Sequence, residues 1–371
     1  MVDRRRIVRL WRAGAARALV TLVRVEGSSY RRPGARLLIG AAGECAGMIS
    51  GGCLEAEVVR RALWMVRGGA VLERYSTLFD DTAEVPFGLG CGGVVDLLLE
   101  PVETPECRAL LAAMEASLRG EEMRAATWLP ASGSPLRRVV LGADGAEIFR
   151  SEGLKAGDVD AARHDSMASL DCSSEVFFEE ISAPQRLFVL GAGEDAKPVA
   201  TMASLLGWSV TVADGRAQLA RAERFSEAER VLAETAVAEL GIGARDAAVV
   251  MTHSYEQDRA LLAGLLAGTA GYIGLLGALH RSSLLIGEVA AELGRSVAEC
   301  CERVWAPVGM DLGGDGAEAI ALEVVAEVQA WRQGKLGVSR RLTAEDVARQ
   351  IDMGGASRYL QTQCAMGGAQ R

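Results

Sequence analysis

The stretch that most constrains this chain is the apolar run Leu187-Phe-Val-Leu190, which passes at once into Gly191-Ala-Gly193-Glu-Asp-Ala196. The run reads as a buried strand and the glycines as a tight turn. Lys197 to Leu206, stopped at Gly207, reads as a helix. Ser209 to Ala213 supplies a second strand ending on Asp214, and further strands fit at Ala247 to Met251 and Tyr272 to Leu275. Short apolar strands alternating with helices bury both faces of a parallel sheet. Residues 186–334 are therefore expected to form a Rossmann-like, doubly wound α/β domain.

Within that domain, Gly191-x-Gly193-x-x-Ala196 followed by an acid at the end of the next strand has the spacing of a dinucleotide site. Gly191 permits the turn, Gly193 lets a phosphate approach the backbone, and Asp214 stands where a ribose-binding carboxylate would. Glu194 and Asp195 suit a helix N-terminus electrostatically, but for the same reason they oppose a bound pyrophosphate. Two readings stay open: a nucleotide or NAD(P) site, or a Rossmann-shaped domain without one. Thr252-His253 ends a strand at the edge where such sheets bind ligands, so His253 reads as a ligand contact, an acid/base or a loop-capping histidine.

Leu261 to Leu279 carries no charge and approaches the length of a membrane span, but Gly268-Thr269 breaks it. Helix, turn and buried strand is the expectation there, with no membrane association. A formal net charge of −9 argues against broad nucleic-acid binding. The basic residues of Met1 to Arg12 are followed by no apolar signal segment, which points to the cytoplasm. None of the eight cysteines forms a C-x-x-C, so a structural zinc site has no support and reduced thiols are expected.

Residues 1–175 alternate strand and helix signals less regularly and are expected to form an α+β domain. Residues 176–185 read as a linker and 335–371 as a tail with one short helix, Ala344 to Ile351. Three motifs stand out in the N-terminal part. The loop Gly27-Ser28-Ser29-Tyr-Arg31-Arg32-Pro-Gly34, with Arg36 just beyond, gathers hydroxyls and guanidinium groups suited to phosphate; an exposed basic turn is the plainer alternative. Ser50-Gly-Gly-Cys53-Leu-Glu55 places a cysteine at the start of an amphipathic helix, where a thiolate is favoured if the side chain is not simply buried. Gly90-Cys91-Gly-Gly93 embeds a second cysteine among glycines, a sign of close backbone approach.

Taken together, these segments resemble the XdhC/CoxI family of accessory proteins that mature xanthine dehydrogenase-type molybdenum hydroxylases. The resemblance rests on Gly27 to Arg36, Gly47 to Glu55, Gly90 to Gly93 with Glu100-Pro101, Gly191 to Gly193, Thr252-His253, Gly274 to Gly277 and Ala306 to Asp311. It implies a cofactor-binding chaperone with little turnover chemistry of its own. Such a protein binds molybdenum cofactor (molybdopterin) as cargo, supports its sulfuration with a cysteine desulfurase, delivers it to the apo molybdenum hydroxylase, and forms a homodimer. An NAD(P)-dependent oxidoreductase using the Rossmann domain, with His253 as acid/base, and a ligand-free assembly factor stay open as alternatives. Many relatives place a histidine just after the glycine turn, where this chain has Glu194-Asp195.

Overall fold

The computed structural model describes residues 1–52, 54–76, 93–131, 135–164, 176–234 and 236–337. The expected tail helix therefore lies outside the described residues. Contacts divide the chain into two compact units, one of Asp3–Ala183 and one that begins at Pro184 and includes Met1–Val2.

The N-terminal unit runs α1 (Val2–Arg12), β1 (Ala16–Gly27), β2 (Arg36–Gly40), β3 (Cys45–Gly47), α2 (Glu55–Met65), β4 (Val71–Ser76), β5 (Gly93–Pro101), α3 (Pro105–Leu118), β6 (Met123–Trp128), β7 (Arg137–Gly142), β8 (Glu147–Arg150), α4 (Ala156–His164) and β9 (Val176–Ile181). Its strands form two antiparallel sheets, ordered β3-β2-β1-β5-β4 and β8-β7-β6-β9. Strand β1 is central and buried on both faces. Ala18, Val20 and Leu22 pack on Leu54, Val58 and Ala62 of the α2 side. Leu19 faces Ile7 of α1 and Leu110 and Leu111 of α3. That second cluster continues into Met123, Ala125, Val140 and Ile181, so α3 is covered by both sheets. Each fully buried Leu, Ile, Val or Met among them contributes about 1.5–3 kcal/mol.

Ion pairs inside this unit also join the sheets. Arg138 of β7 and Glu100 of β5, both 1 % exposed, form a two-pronged pair at 2.9 and 3.1 Å, and Arg138 Nε donates to Thr127 at 2.9 Å. Arg36 of β2 donates to both carboxylate oxygens of Glu179 in β9.

The segment expected to link the two halves differs. Val176–Ile181 is a strand in register with β6, from Met123↔Ile181 to Trp128↔Val176. Its inward positions are Phe177, Glu179 and Ile181. A charged residue on the inward face hides the two-residue period by which a strand is read from sequence.

The second unit contains β10 (Arg186–Leu190), α5 (Ala196–Leu205), β11 (Ser209–Ala213), β12 (Arg230–Leu232), α6 (Val237–Leu240), β13 (Ala247–Val250), α7 (Tyr255–Ala267), β14 (Tyr272–Leu275), α8 (Leu279–Glu292), α9 (Val297–Cys301), β15 (Val304–Trp305) and α10 (Ala317–Arg332). All six strands are parallel, in the order β12-β11-β10-β13-β14-β15. This is the Rossmann arrangement, whose strand order reverses between β10 and β13. Alternation along β10 serves both layers. Leu187 and Val189 face the core of α5 and α10, while Phe188 and Leu190 face that of α7 and α8. The uncharged stretch 261–279 is the end of α7, a turn at Gly268, strand β14 and the start of α8. No described helix is long and apolar enough to cross a membrane.

Candidate functional site

In the Rossmann unit the sequence motifs meet at the carboxyl edge of β10 and β13. Gly191 has φ 131°, and a Cβ there would strike the Met251 carbonyl, so the turn admits only glycine. Its N–H donates to Ala213 O at 2.8 Å. The next N–H, that of Ala192, donates to Asp214 Oδ2 at 2.8 Å.

Asp214 is 2 % exposed. Its Oδ1 accepts from the backbone N–H and Nε of Arg216, both at 2.9 Å, and its Oδ2 from Arg216 Nη2 at 2.7 Å besides Ala192. A carboxylate has about four acceptor positions, and all are taken. Burial works to raise this carboxyl's pKa, but the Arg216 bonds and the backbone N–H groups outweigh it and hold Asp214 below the ordinary aspartate value.

Arg216 Nη2 also donates to the Thr252 carbonyl at 3.1 Å. Thr252 in turn gives its N–H and hydroxyl to Asp258 Oδ1, at 3.1 and 2.6 Å. Asp258 is fully buried and receives Arg281 Nη2 on Oδ2 at 2.6 Å. A polar chain thus follows the sheet edge from β11 to α8. Arg216, Asp258 and Arg281 belong to no motif visible in the sequence. The available signal was Asp258, a charge on the same helical stripe as the buried Leu261, Leu262 and Leu265.

His253, at φ 63°, is the only described non-glycine residue with a left-handed backbone. Its Nε2 lies 2.7 Å from Asp195 Oδ2. Asp195 Oδ1 stands 2.5 Å from the position a Cβ of Gly193 would occupy, and His253 Cδ2 stands 3.8 Å from it. Glu194 pairs with Lys197 and Arg224, each at 2.6 Å, and the bonds from these two cations, Lys197 foremost, lower its pKa. Gly191, Gly193, Asp214 and His253 are therefore neighbours, as their spacing suggested.

In the N-terminal unit the loop between β1 and β2 carries Ser28, Ser29, Arg31 and Arg32. Its start is fixed by the pair Gly27↔Gly93, where a Cβ on Gly93 would strike the carbonyls of Ser28 and Glu26. Its middle carries Tyr30, which is 69 % exposed and lies 3.7 Å from the Cβ position of Gly51. Arg31 pairs with Asp3 at 2.8 Å, while Arg32 is exposed. Arg36 does not join them; it is buried against Glu179.

The turn before α2 is held by Ser50 and Glu55. Glu55 Oε1 accepts the N–H groups of Ile49 and Ser50 at 3.1 and 2.8 Å, and Oε2 accepts the Ser50 hydroxyl. Ser50 Oγ accepts from Gly52 and Leu54, both at 3.2 Å. Burial would raise the Glu55 carboxyl, but these donors win and lower it. Cys53 and Cys91 lie outside the described residues.

Residues 187–328 match the model of the XdhC Rossmann domain, and residues 10–76 that of the XdhC and CoxI family. A Bacillus subtilis protein named as a probable xanthine dehydrogenase subunit is 29 % identical over 85 % of this chain and 93 % of its own length. The Escherichia coli molybdenum cofactor insertion chaperone PaoD is 25 % identical over 86 % of this chain and 85 % of its own. A crystal structure from Bacillus halodurans, described as a xanthine dehydrogenase, shares the fold with a TM-score of 0.76 at 24 % identity. The match covers 94 % of this chain and 99 % of that one.

Proposed function

This chain belongs to the XdhC and CoxI family, and from that premise we propose that it binds molybdenum cofactor and delivers it to a xanthine dehydrogenase-type molybdenum hydroxylase. The observation that carries the reading is the convergence in the N-terminal unit. The Gly27 to Gly34 loop pairs with Gly93 on one side and rests Tyr30 on Gly51 on the other. In sequence, Gly93 and Gly51 adjoin the Cys91 and Cys53 motifs.

Molybdopterin presents an anionic phosphate and a soft metal–sulfur centre, and the two halves of this loop cluster suit those two chemistries. Arg32, with the hydroxyls of Ser28 and Ser29, is fitted to the phosphate, and Arg31 joins it only by giving up Asp3. Cys53 and Cys91 are the thiols fitted to the metal–sulfur end. Arg36, committed to Glu179, also donates to the Gly34 carbonyl at 3.2 Å and so holds the end of the loop. In this reading the cofactor is cargo and the protein holds it and hands it over. A cysteine desulfurase supplies the terminal sulfur, the receiver is the apo-hydroxylase, and the chaperone acts as a cytoplasmic homodimer.

The test is the molybdenum and pterin content of protein purified anaerobically from a host that makes the cofactor, beside protein from one that does not. Stoichiometric pterin in the first alone supports the carrier reading, and Arg32→Ala and Cys53→Ser then divide phosphate from metal–sulfur contacts. An empty protein that also fails to take up free cofactor overturns it and leaves an assembly factor without a ligand.

A further inference from the structure

A Rossmann turn of this spacing implies a dinucleotide, yet the groups a dinucleotide needs are already engaged. We infer that the glycine turn is closed to diphosphates and that Asp195 is the residue that closes it. The inference concerns the second unit alone and does not depend on the cargo reading.

Three observations carry it. A diphosphate approaches such a turn over the second glycine, in the space left by its missing side chain. Here Asp195 Oδ1 sets a negative charge in that space, 2.5 Å from the Gly193 Cβ position, and it is this charge rather than the bulk of a side-chain end that closes the turn. Asp195 is only 18 % exposed and is held in place by His253 through its other oxygen, at 2.7 Å. Secondly, two of the turn's own N–H donors are spent internally, Gly191 on Ala213 and Ala192 on Asp214. Thirdly, the carboxylate that would take the ribose hydroxyls has all its acceptor positions filled by Arg216 and Ala192.

The cations at this edge do not reverse the balance, because each is already paired with a carboxylate, two of them with the same one. Lys197 and Arg224 hold Glu194, Arg216 holds Asp214, and Arg281 holds Asp258. A diphosphate arriving at the helix N-terminus therefore meets the Asp195 charge at contact distance, where like charges repel strongly. NAD(P)-linked hydride transfer is excluded from this domain by the same geometry.

The experiment is calorimetric titration of the full chain with ADP and with NADH, for wild type, Asp195→Asn and His253→Ala. Asp195 makes no capping bond to α5, so its replacement spares the helix. Wild type is expected to give no saturable binding at about 1 mM ligand. Asp195→Asn, which removes the charge and keeps the shape, is expected to tighten ADP binding by about tenfold or more. His253→Ala, which leaves the carboxylate charged, is expected to stay silent. Micromolar NADH binding by wild type overturns the inference, as does an Asp195→Asn protein no better than wild type. A His253→Ala protein that gains binding as strongly as Asp195→Asn overturns the assignment to the Asp195 charge.

Discussion

The guanidinium of Arg36 and the carboxylate of Glu179, 143 residues apart in the chain, meet inside the N-terminal unit with 6 % and 8 % of their side chains exposed. They join the outer part of one antiparallel sheet to the edge of the other. An arginine two residues beyond a basic loop thus belongs to the scaffold that supports the loop.

Removing one partner leaves the other charged and buried, which costs about 3–5 kcal/mol. Arg36→Ala is expected to lower unfolding stability in urea by about that amount. The double variant Arg36→Met/Glu179→Leu is expected to recover most of it, because a buried pair replaced by apolar side chains of similar volume is often neutral. A double variant as unstable as the single one would show that the pair contributes more than its own desolvation.

How far the sequence reveals these features depends on whether the determinant is local. The β10 strand, the glycine turn, α5 and the Asp214 strand end are legible because each occupies a few consecutive residues whose spacing alone implies the element. The partner of Asp214 is not legible. An acid after a Rossmann strand faces a ribose in one protein and its own Arg216 in another, and only packing decides between them. The same holds for Glu179, whose inward direction makes sense only once Arg36 is opposite, and for Asp258, whose partner Arg281 comes from the next helix.

Asp214 makes a pH prediction. Its carboxyl is held below the ordinary aspartate value, burial notwithstanding, by Arg216 and two backbone N–H groups. A group with a depressed folded pKa stabilises the fold above its unfolded value, about 3.9, and loses that contribution as pH falls through the folded value. Asp214→Asn is expected to cost about 1–3 kcal/mol at neutral pH. It is also expected to flatten the decline of the thermal midpoint as pH falls below about 4. A variant that keeps the full acid slope would show that other carboxylates set it.

His253 makes a backbone prediction. A left-handed conformation costs an ordinary side chain about 1–2 kcal/mol, and histidine tolerates it better than β-branched residues do. His253→Gly is expected to be neutral or to gain up to about 1 kcal/mol, its exposed contact with Asp195 being worth little. His253→Val is expected to lose about 1–2 kcal/mol. Equal stabilities for Gly and Val at this position would mean that the loop is not held in this conformation in solution.

The N-terminal loop cluster makes the last prediction, through two glycines that differ in what surrounds them. At Gly93 an added Cβ would strike the carbonyls of Ser28 and Glu26, backbone atoms that move only if β1 and β5 part. At Gly51 the nearest atom is Tyr30 Cγ at 3.7 Å, an ordinary contact with an exposed ring. Neither glycine has a positive φ, so conformational strain does not confuse the comparison. Gly93→Ala is therefore expected to destabilise by about 1–3 kcal/mol, and Gly51→Ala by less than about 0.5 kcal/mol. If the loop beside Gly93 holds the cargo, Gly93→Ala also lowers pterin content at temperatures where the variant is still folded. Gly51→Ala, which leaves the loop's backbone in place, retains it. Pterin retention by a folded Gly93→Ala protein would move the cargo site away from this loop.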